Sequence, residues 1–216
     1  MANDDQSSPP RRNTPREIEI KLRVPDHAAT RKVLLARGAG FIERVLETNQ
    51  FFDRPGGDLR AAGCGLRLRL LQREGQSACA ALLTWKGPSR PSVMHNRPSL
   101  DLTAAPAELA ESFVKALGFV PTVAFEKRRE SWAIQPSGEL GGSQAAQLHA
   151  CRVELDELPE LGCFVEIEGS DERAVLSVRR RLGLEGVANE PTTYLAMVSE
   201  YLRARGVPDT ALRFPR

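Results

Sequence analysis

Charged residues recur along this chain at alternate positions, and their types define a chemistry. One set is basic: Lys21, Arg67, Arg69, Lys86, Arg97, Lys127 and Arg129. The other is acidic: Glu17, Glu19, Asp101, Glu154, Asp156, Glu166 and Glu168. Lysine and arginine converging from several segments make an anion site, and the guanidinium fork suits phosphate oxygens. Carboxylates on neighbouring segments make a hard-cation site of all-oxygen ligands, of the Mg²⁺ or Mn²⁺ kind. Both sets in one place describe a metal–polyphosphate complex, in which the basic residues neutralise the phosphate charge the metal leaves.

The elements that must position these residues are strands. From Arg16 to Val24 charged and apolar side chains alternate, so Glu17, Glu19 and Lys21 share one face and Ile18, Ile20 and Leu22 the other. The same period places Arg67 and Arg69 opposite Leu66, Leu68 and Leu70, and Glu166 and Glu168 opposite Val165 and Ile167. Further strands are expected at 41–52, 78–86, 97–102, 120–134 and 152–158. The strand at 41–52 contributes no charge to either set.

Helices are expected at 27–37, with Asp26 as N-cap, at 106–117, at 171–183 and at 191–205, with Pro191 in the first turn. Few crossovers and several short connections imply a mainly antiparallel α+β fold. Eight strands suffice to close a barrel. The apolar faces then lie outside under the helices, and the charged faces line the interior. So much interior charge requires water, ion pairs, a metal or a charged ligand.

Composition narrows the class. Thirty Lys and Arg against 28 Asp and Glu give a net charge of +2, without the basic excess of a nucleic-acid binder. Apolar runs are too short to span a bilayer, and the N-terminus has no apolar signal-peptide core, so no membrane partner and a cytoplasmic location are expected. Cys64, Cys79, Cys151 and Cys163 lack metal-ligand spacing and read as reduced thiols. His27, His95 and His149 read as surface residues. The expected organisation is a polar, Pro-rich tail at 1–15, one domain at 16–204 and a tail at 205–216, with 136–149 as a flexible connection.

Five stretches in order carry a family resemblance. Glu17-x-Glu19-x-Lys21 resembles the ExExK signature of the CYTH superfamily, the triphosphate tunnel metalloenzymes. Leu66-Arg67-Leu68-Arg69 resembles that family's paired arginines, and Thr84-Trp85-Lys86-Gly87-Pro88 its T-x-K-G-P segment. Lys127-Arg128-Arg129 resembles its K-x-R strand. Val153–Glu157 followed by Leu161–Glu168 resembles its closing strands. The branch most similar is the one labelled class IV adenylyl cyclase-like and thiamine triphosphatase-like.

The resemblance implies a closed eight-stranded antiparallel tunnel with helices packed on the outside, and an enzyme that acts on a triphosphate with Mg²⁺ or Mn²⁺. It implies Glu17, Glu19, Asp156, Glu166 and Glu168 as metal-site residues. Lys21, Arg67, Arg69, Lys86, Arg97, Lys127 and Arg129 would bind the triphosphate, with Glu17, Glu19, Lys21 and Lys86 catalytic. The substrate would be tripolyphosphate, ATP or thiamine triphosphate, and the chain a monomer or homodimer. Hydrolysis of the triphosphate is the leading expectation. Cyclisation of ATP to cyclic AMP and pyrophosphate is the alternative, and a non-catalytic polyphosphate or nucleotide sensor ranks below both. One departure stands out: Arg97-Pro98-Ser99-Leu100-Asp101 occupies the place of Arg-x-Glu-x-Glu. Pro98 lacks a ladder donor and predicts a bulge or an edge there.

Overall fold

The computed structural model describes residues 16–76, 79–88, 94–104, 106–136, 150–206 and 211–216. The expected tail at 1–15 and, apart from residue 136, the expected connection at 136–149 lie outside them. The described chain is α+β and rich in antiparallel strands: β1 (Arg16–Val24), β2 (Gly40–Asp53), β3 (Gly65–Arg73), β4 (Cys79–Lys86), β5 (His95–Ala104), β6 (Val120–Ile134), β7 (Cys151–Leu158), β8 (Gly162–Gly169) and the short β9 (Ala211–Leu212). Five helices are described: α1 (Ala28–Ala36), α2 (Asp58–Ala61), α3 (Ala107–Ala116), α4 (Glu172–Arg181) and α5 (Tyr194–Ala204).

The strand order is β2-β3-β4-β5-β1-β8-β7-β6-β9, and β2 pairs a second time, with β6. The β2–β6 ladder is antiparallel and sets Glu47 opposite Lys127 and Val45 opposite Arg129. The strongly curled sheet therefore has an inner and an outer face. On the outer face Ile20, Leu22, Trp132, Val153, Leu155, Val165 and Ile167 form the main core with Leu34 of α1 and Val175 and Val178 of α4. A second outer cluster joins Leu68 and Ala81 to Val114 of α3. These are the apolar faces that the alternation predicts.

Three expectations need correction. First, α5 does not pack on the outside. Met197, Val198 and Leu202 bury against Phe125, Leu158 and Phe164, which share strand faces with Lys127, Asp156 and Glu166. The inner face is charged along part of its length and apolar at one end, and an apolar end exposed to water needs a cover. Each of those buried side chains contributes about 1.5–3 kcal/mol relative to exposure. Second, β2 is not neutral inside: Val45, Glu47 and Asn49 are buried while Leu46, Thr48 and Gln50 are only partly so. Third, Thr193 rather than Pro191 starts α5, its hydroxyl accepting from the Ala196 amide, and His27 rather than Asp26 holds the cap position of α1, although the Asp26 carboxylate still accepts from Ala28 N at 2.7 Å. Within the expected C-terminal tail at 205–216, Ala211 and Leu212 run parallel to Ala124 and Phe125.

Pro98 marks a change of partner. Residues 95–98 of β5 pair with β1, and residues 99–104 pair with β4. A residue without an amide proton fits where one ladder ends. Pro98 O also accepts from Gly87 N at 2.9 Å, and a Cβ on Gly87 would lie 2.8 Å from the Trp85 ring, so the Trp85-Lys86-Gly87 stretch tolerates no side chain at 87 without movement. The four cysteines are free. Among the described residues no helix is long and apolar enough to cross a membrane.

Candidate active site

The inner face encloses a cavity of about 810 Å³. Lys21 of β1, Arg67 and Arg69 of β3, Lys86 of β4, Arg97 of β5, and Lys127 and Arg129 of β6 all line it. Glu19, Glu154, Glu166 and Glu168 line it as well. Every expected triphosphate-binding residue is thus brought to one space, from five strands that only the curled sheet makes neighbours. Glu17 lies on β1 with its backbone opposite Arg97, and its side chain is outside the described part.

Register explains the carboxylate arrangement. Glu19 stands opposite Glu168, Lys21 opposite Glu166, and Glu166 opposite Glu154 across β1, β8 and β7. Directly opposed side chains have Cβ atoms about 4.5–5.5 Å apart. Like charges so placed repel unless a cation lies among them. Arg129 serves Glu166, with Nη2 at 2.6 Å from Oε2. Lys21 Nζ is 4.0 Å from the other oxygen. Burial pushes the Glu166 carboxyl up, but Arg129, Lys127 and Lys21 outweigh it and hold it down at about 2. Glu154 shows the opposite balance. Burial, assisted by Asp156, raises its carboxyl above the ordinary value despite Arg129 and the Ser131 hydroxyl that donates to it. Burial also lowers the Lys21 ammonium, against the pull of Glu166, Glu19 and Glu190.

Asp156 is fully buried, and the structure places it behind the cations. It accepts from Arg129 Nε at 2.7 Å and Nη2 at 2.6 Å, from Lys127 Nζ at 3.1 Å and from the Tyr194 hydroxyl at 2.9 Å. Burial, reinforced by Asp156 and Glu166, keeps the Tyr194 phenol protonated far above its ordinary range, so it remains a donor. Its ring lies 4.3 Å beneath Lys21 Nζ and 5.1 Å from Lys127 Nζ, where the π-face attracts both cations.

The sequence reading missed Tyr194, Glu47 and Asn49. Glu47 Oε1 is 3.3 Å from Arg69 Nη1, and Oε2 is 3.4 Å from Lys127 Nζ. Arg67 Nη1 donates to Asn49 Oδ1 at 3.3 Å. Asp101, counted in the acidic set, is exposed and accepts from the Thr84 hydroxyl at 2.6 Å.

The donor set fits a hard divalent cation in kind: Glu19, Glu166 and Glu168 face the cavity from adjacent strands, and among the described residues no histidine lines it. Among the described residues no three acidic, histidine or cysteine side chains are already gathered as a bound ion would hold them.

The cavity is not uniform. Phe51, Val123, Phe125 and Leu195 line its other part, with the Phe51 and Phe125 rings stacked at 5.9 Å. An elongated ligand with a charged end and an apolar end matches this division. Asp53 shapes the rim: its carboxylate accepts from the amides of Arg54, Leu59 and Arg60 at 2.7, 2.9 and 3.0 Å, which folds the short α2 turn against the opening.

Comparison with known proteins gives the family. A family model described as the CYTH domain matches residues 15–194. The chain is 25% identical over 154 residues to a Methanocaldococcus jannaschii protein provisionally named an adenylate cyclase, across 71% of this chain and 77% of that protein. Its fold is similar to that of protein PH1819 from Pyrococcus horikoshii OT3, with a TM-score of 0.68 at 21% identity over 86% of this chain and 99% of that one. It is also similar to a Hippeastrum protein, provisionally an adenylyl cyclase, described as having a dominant triphosphatase activity. There the TM-score is 0.59 at 18% identity, covering 88% of this chain and 96% of that one.

Proposed function

From the premise that this chain belongs to the CYTH domain family, we propose that it is a divalent-metal-dependent triphosphatase whose substrate binds inside a closed eight-stranded tunnel. The β2–β6 pairing supports closure. The observation that carries the reading is the cavity itself, in which the seven expected cations and four carboxylates of the acidic set face one space.

Glu17, Glu19, Glu166 and Glu168 would hold the metal. When bound, the ion supplies a Lewis acid that polarises a phosphoryl oxygen. Lys21, Arg67, Arg69, Lys86, Arg97, Lys127 and Arg129 bind the oxygens of the triphosphate. Water adds to the terminal phosphorus and releases a proton to solvent, the bridging P–O bond breaks, and these cations stabilise the charge that collects on the leaving phosphate oxygen. Asp156 bonds to Lys127, Arg129 and the Tyr194 hydroxyl and does not line the cavity. Asp156 therefore serves in this reading as a positioning residue, although it was expected beside the metal.

A second reading has its own observation. The apolar part of the cavity at Phe51, Phe125 and Leu195 offers a surface for an organic group. It would suit a nucleoside triphosphate, and with one the ribose 3′-hydroxyl could attack the α-phosphorus to give cyclic AMP and pyrophosphate.

Phosphorus NMR of the products separates the readings. With Mg²⁺ or Mn²⁺, orthophosphate and pyrophosphate from tripolyphosphate support the triphosphatase. Cyclic AMP with pyrophosphate from ATP supports the cyclase. Tight binding without turnover of either would overturn both in favour of a sensor. Glu19→Gln is expected to abolish metal-dependent turnover in a folded protein, and unchanged activity would remove Glu19 from the metal site.

A further inference from the structure

We propose that Glu47 is a positioning residue of this site, a buried carboxylate on β2 that holds Arg69, Lys127 and Arg129 in one array without touching the substrate. The inference rests on the reading that these three cations face a triphosphate. Glu47 is 1% exposed and lies behind the cavity, whereas all three cations line it.

Its two oxygens divide the work. Oε1 meets Arg69 Nη1 at 3.3 Å and Arg129 Nε at 3.8 Å, and Oε2 meets Lys127 Nζ at 3.4 Å. The Asn49 amide donates to Oε2 at 3.4 Å and fixes its rotation. Across β6, Asp156 holds Lys127 and Arg129 from the other side. The two β6 cations therefore sit between carboxylates on both flanking strands, and Glu47 ties that pair to Arg69 on β3. Three cation heads this close repel one another, and a buried anion between them is stable only while they stay there. Burial pushes the Glu47 carboxyl up, but Lys127, Arg69 and Arg129 together keep it well below the usual carboxylate range, so it is ionised.

This geometry separates positioning from binding. A negative charge behind the cations weakens their attraction for phosphate, so neutralising it does not loosen the ground state. It does release the heads from their fixed spacing, and catalysis is sensitive to displacements on the ångström scale. The variant Glu47→Gln keeps the shape and removes the charge. It is expected to lower kcat for tripolyphosphate by roughly 10- to 100-fold, with KM unchanged or smaller. Glu47→Asp is expected to restore part of kcat, and Arg69→Ala, which removes a binding group, to raise KM instead. A Glu47→Gln enzyme with wild-type kcat, or with raised KM and normal kcat, would overturn the proposal. Should Glu47→Gln not fold, Glu47→Asp carries the same split, with a smaller kcat loss at unchanged KM. If wild-type protein turns over no triphosphate, the functional reading fails. Glu47 is then judged by NMR solvent exchange of the Arg69 and Arg129 guanidinium protons, expected to be roughly tenfold faster in Glu47→Gln. Unchanged exchange would overturn the positioning role.

Discussion

Arg129→Ala is the most informative single perturbation of the interior. Arg129 grips Asp156 through two nitrogens at 2.7 and 2.6 Å and reaches Glu166 at 2.6 Å. It also lies 3.8 Å from Glu47 and 3.9 Å from Glu154. One cation therefore compensates four carboxylates, each at most 9% exposed at its side chain. Removing one partner of a buried pair costs about 3–5 kcal/mol, because the remaining charge is stranded. For a domain of this size about 2–4 °C of Tm accompanies each kcal/mol, so a fall of about 6–20 °C is expected. The loss has a pH signature. In the wild type, Glu166 is held at about 2 and Glu47 well below its ordinary value, so neither titrates between pH 5 and 8. Without Arg129 both carboxyls rise, and the native variant binds protons that the unfolded chain does not. Its stability therefore increases as pH falls through that window. Urea denaturation at pH 8 and pH 5 measures the deficit, which should be larger at pH 8. Adding Asp156→Asn should return part of it, since it removes one of the four carboxylates that the loss of Arg129 strands. A loss under about 1 kcal/mol, or one equal at both pH values, would refute the reasoning.

Two further outcomes are expected. Glu130, outside the cavity, accepts from Arg31 at 2.9 and 3.1 Å, from Arg44 at 3.0 Å and from Trp132 Nε1 at 2.8 Å. Burial raises its carboxyl, but these donors overcome burial and hold it at about 2 against an ordinary 4.5, so its contribution is present above about pH 4.5 and lost as pH falls toward 2. Acid unfolding curves of wild type and Glu130→Gln should converge over that window, and parallel curves would contradict it. Gly169→Ala would place a methyl 2.9 Å from Cys151 Sγ and 3.0 Å from Val175 Cγ2. Thermal melts should show about 1–3 kcal/mol of destabilisation from overpacking, and an unchanged melt would mean that α4 yields freely.

The inner charges were legible where one strand face is apolar and the other charged. Ile18, Ile20 and Leu22 declare the outer face of β1, so Glu19 and Lys21 fall inside, and the same contrast places Arg67, Arg69 and Glu166. On β2 the contrast fails: Thr48 and Gln50 are polar on the outer face, so Glu47 carries no mark of its orientation until β3 and β6 pair beside it. The position of α5 was hidden for a related reason. Phe125 and Phe164 read as parts of charged faces because they alternate with Lys127 and Glu166, and only the folded sheet gathers them into an apolar end that a helix must cover. Tyr194 could be read as an amphipathic-helix residue, but its contact with Asp156 joins positions 38 apart. The partner change at Pro98 was visible as a missing donor, although not which strands exchange there.

Titration calorimetry of tripolyphosphate with Mg²⁺ tests the central claim, that the inner cations form a triphosphate site. Wild-type protein should give saturable heat at one tripolyphosphate per chain, and a folded Lys127→Met variant should lose most of it. No heat with the wild type, or undiminished heat with the variant, would contradict the account.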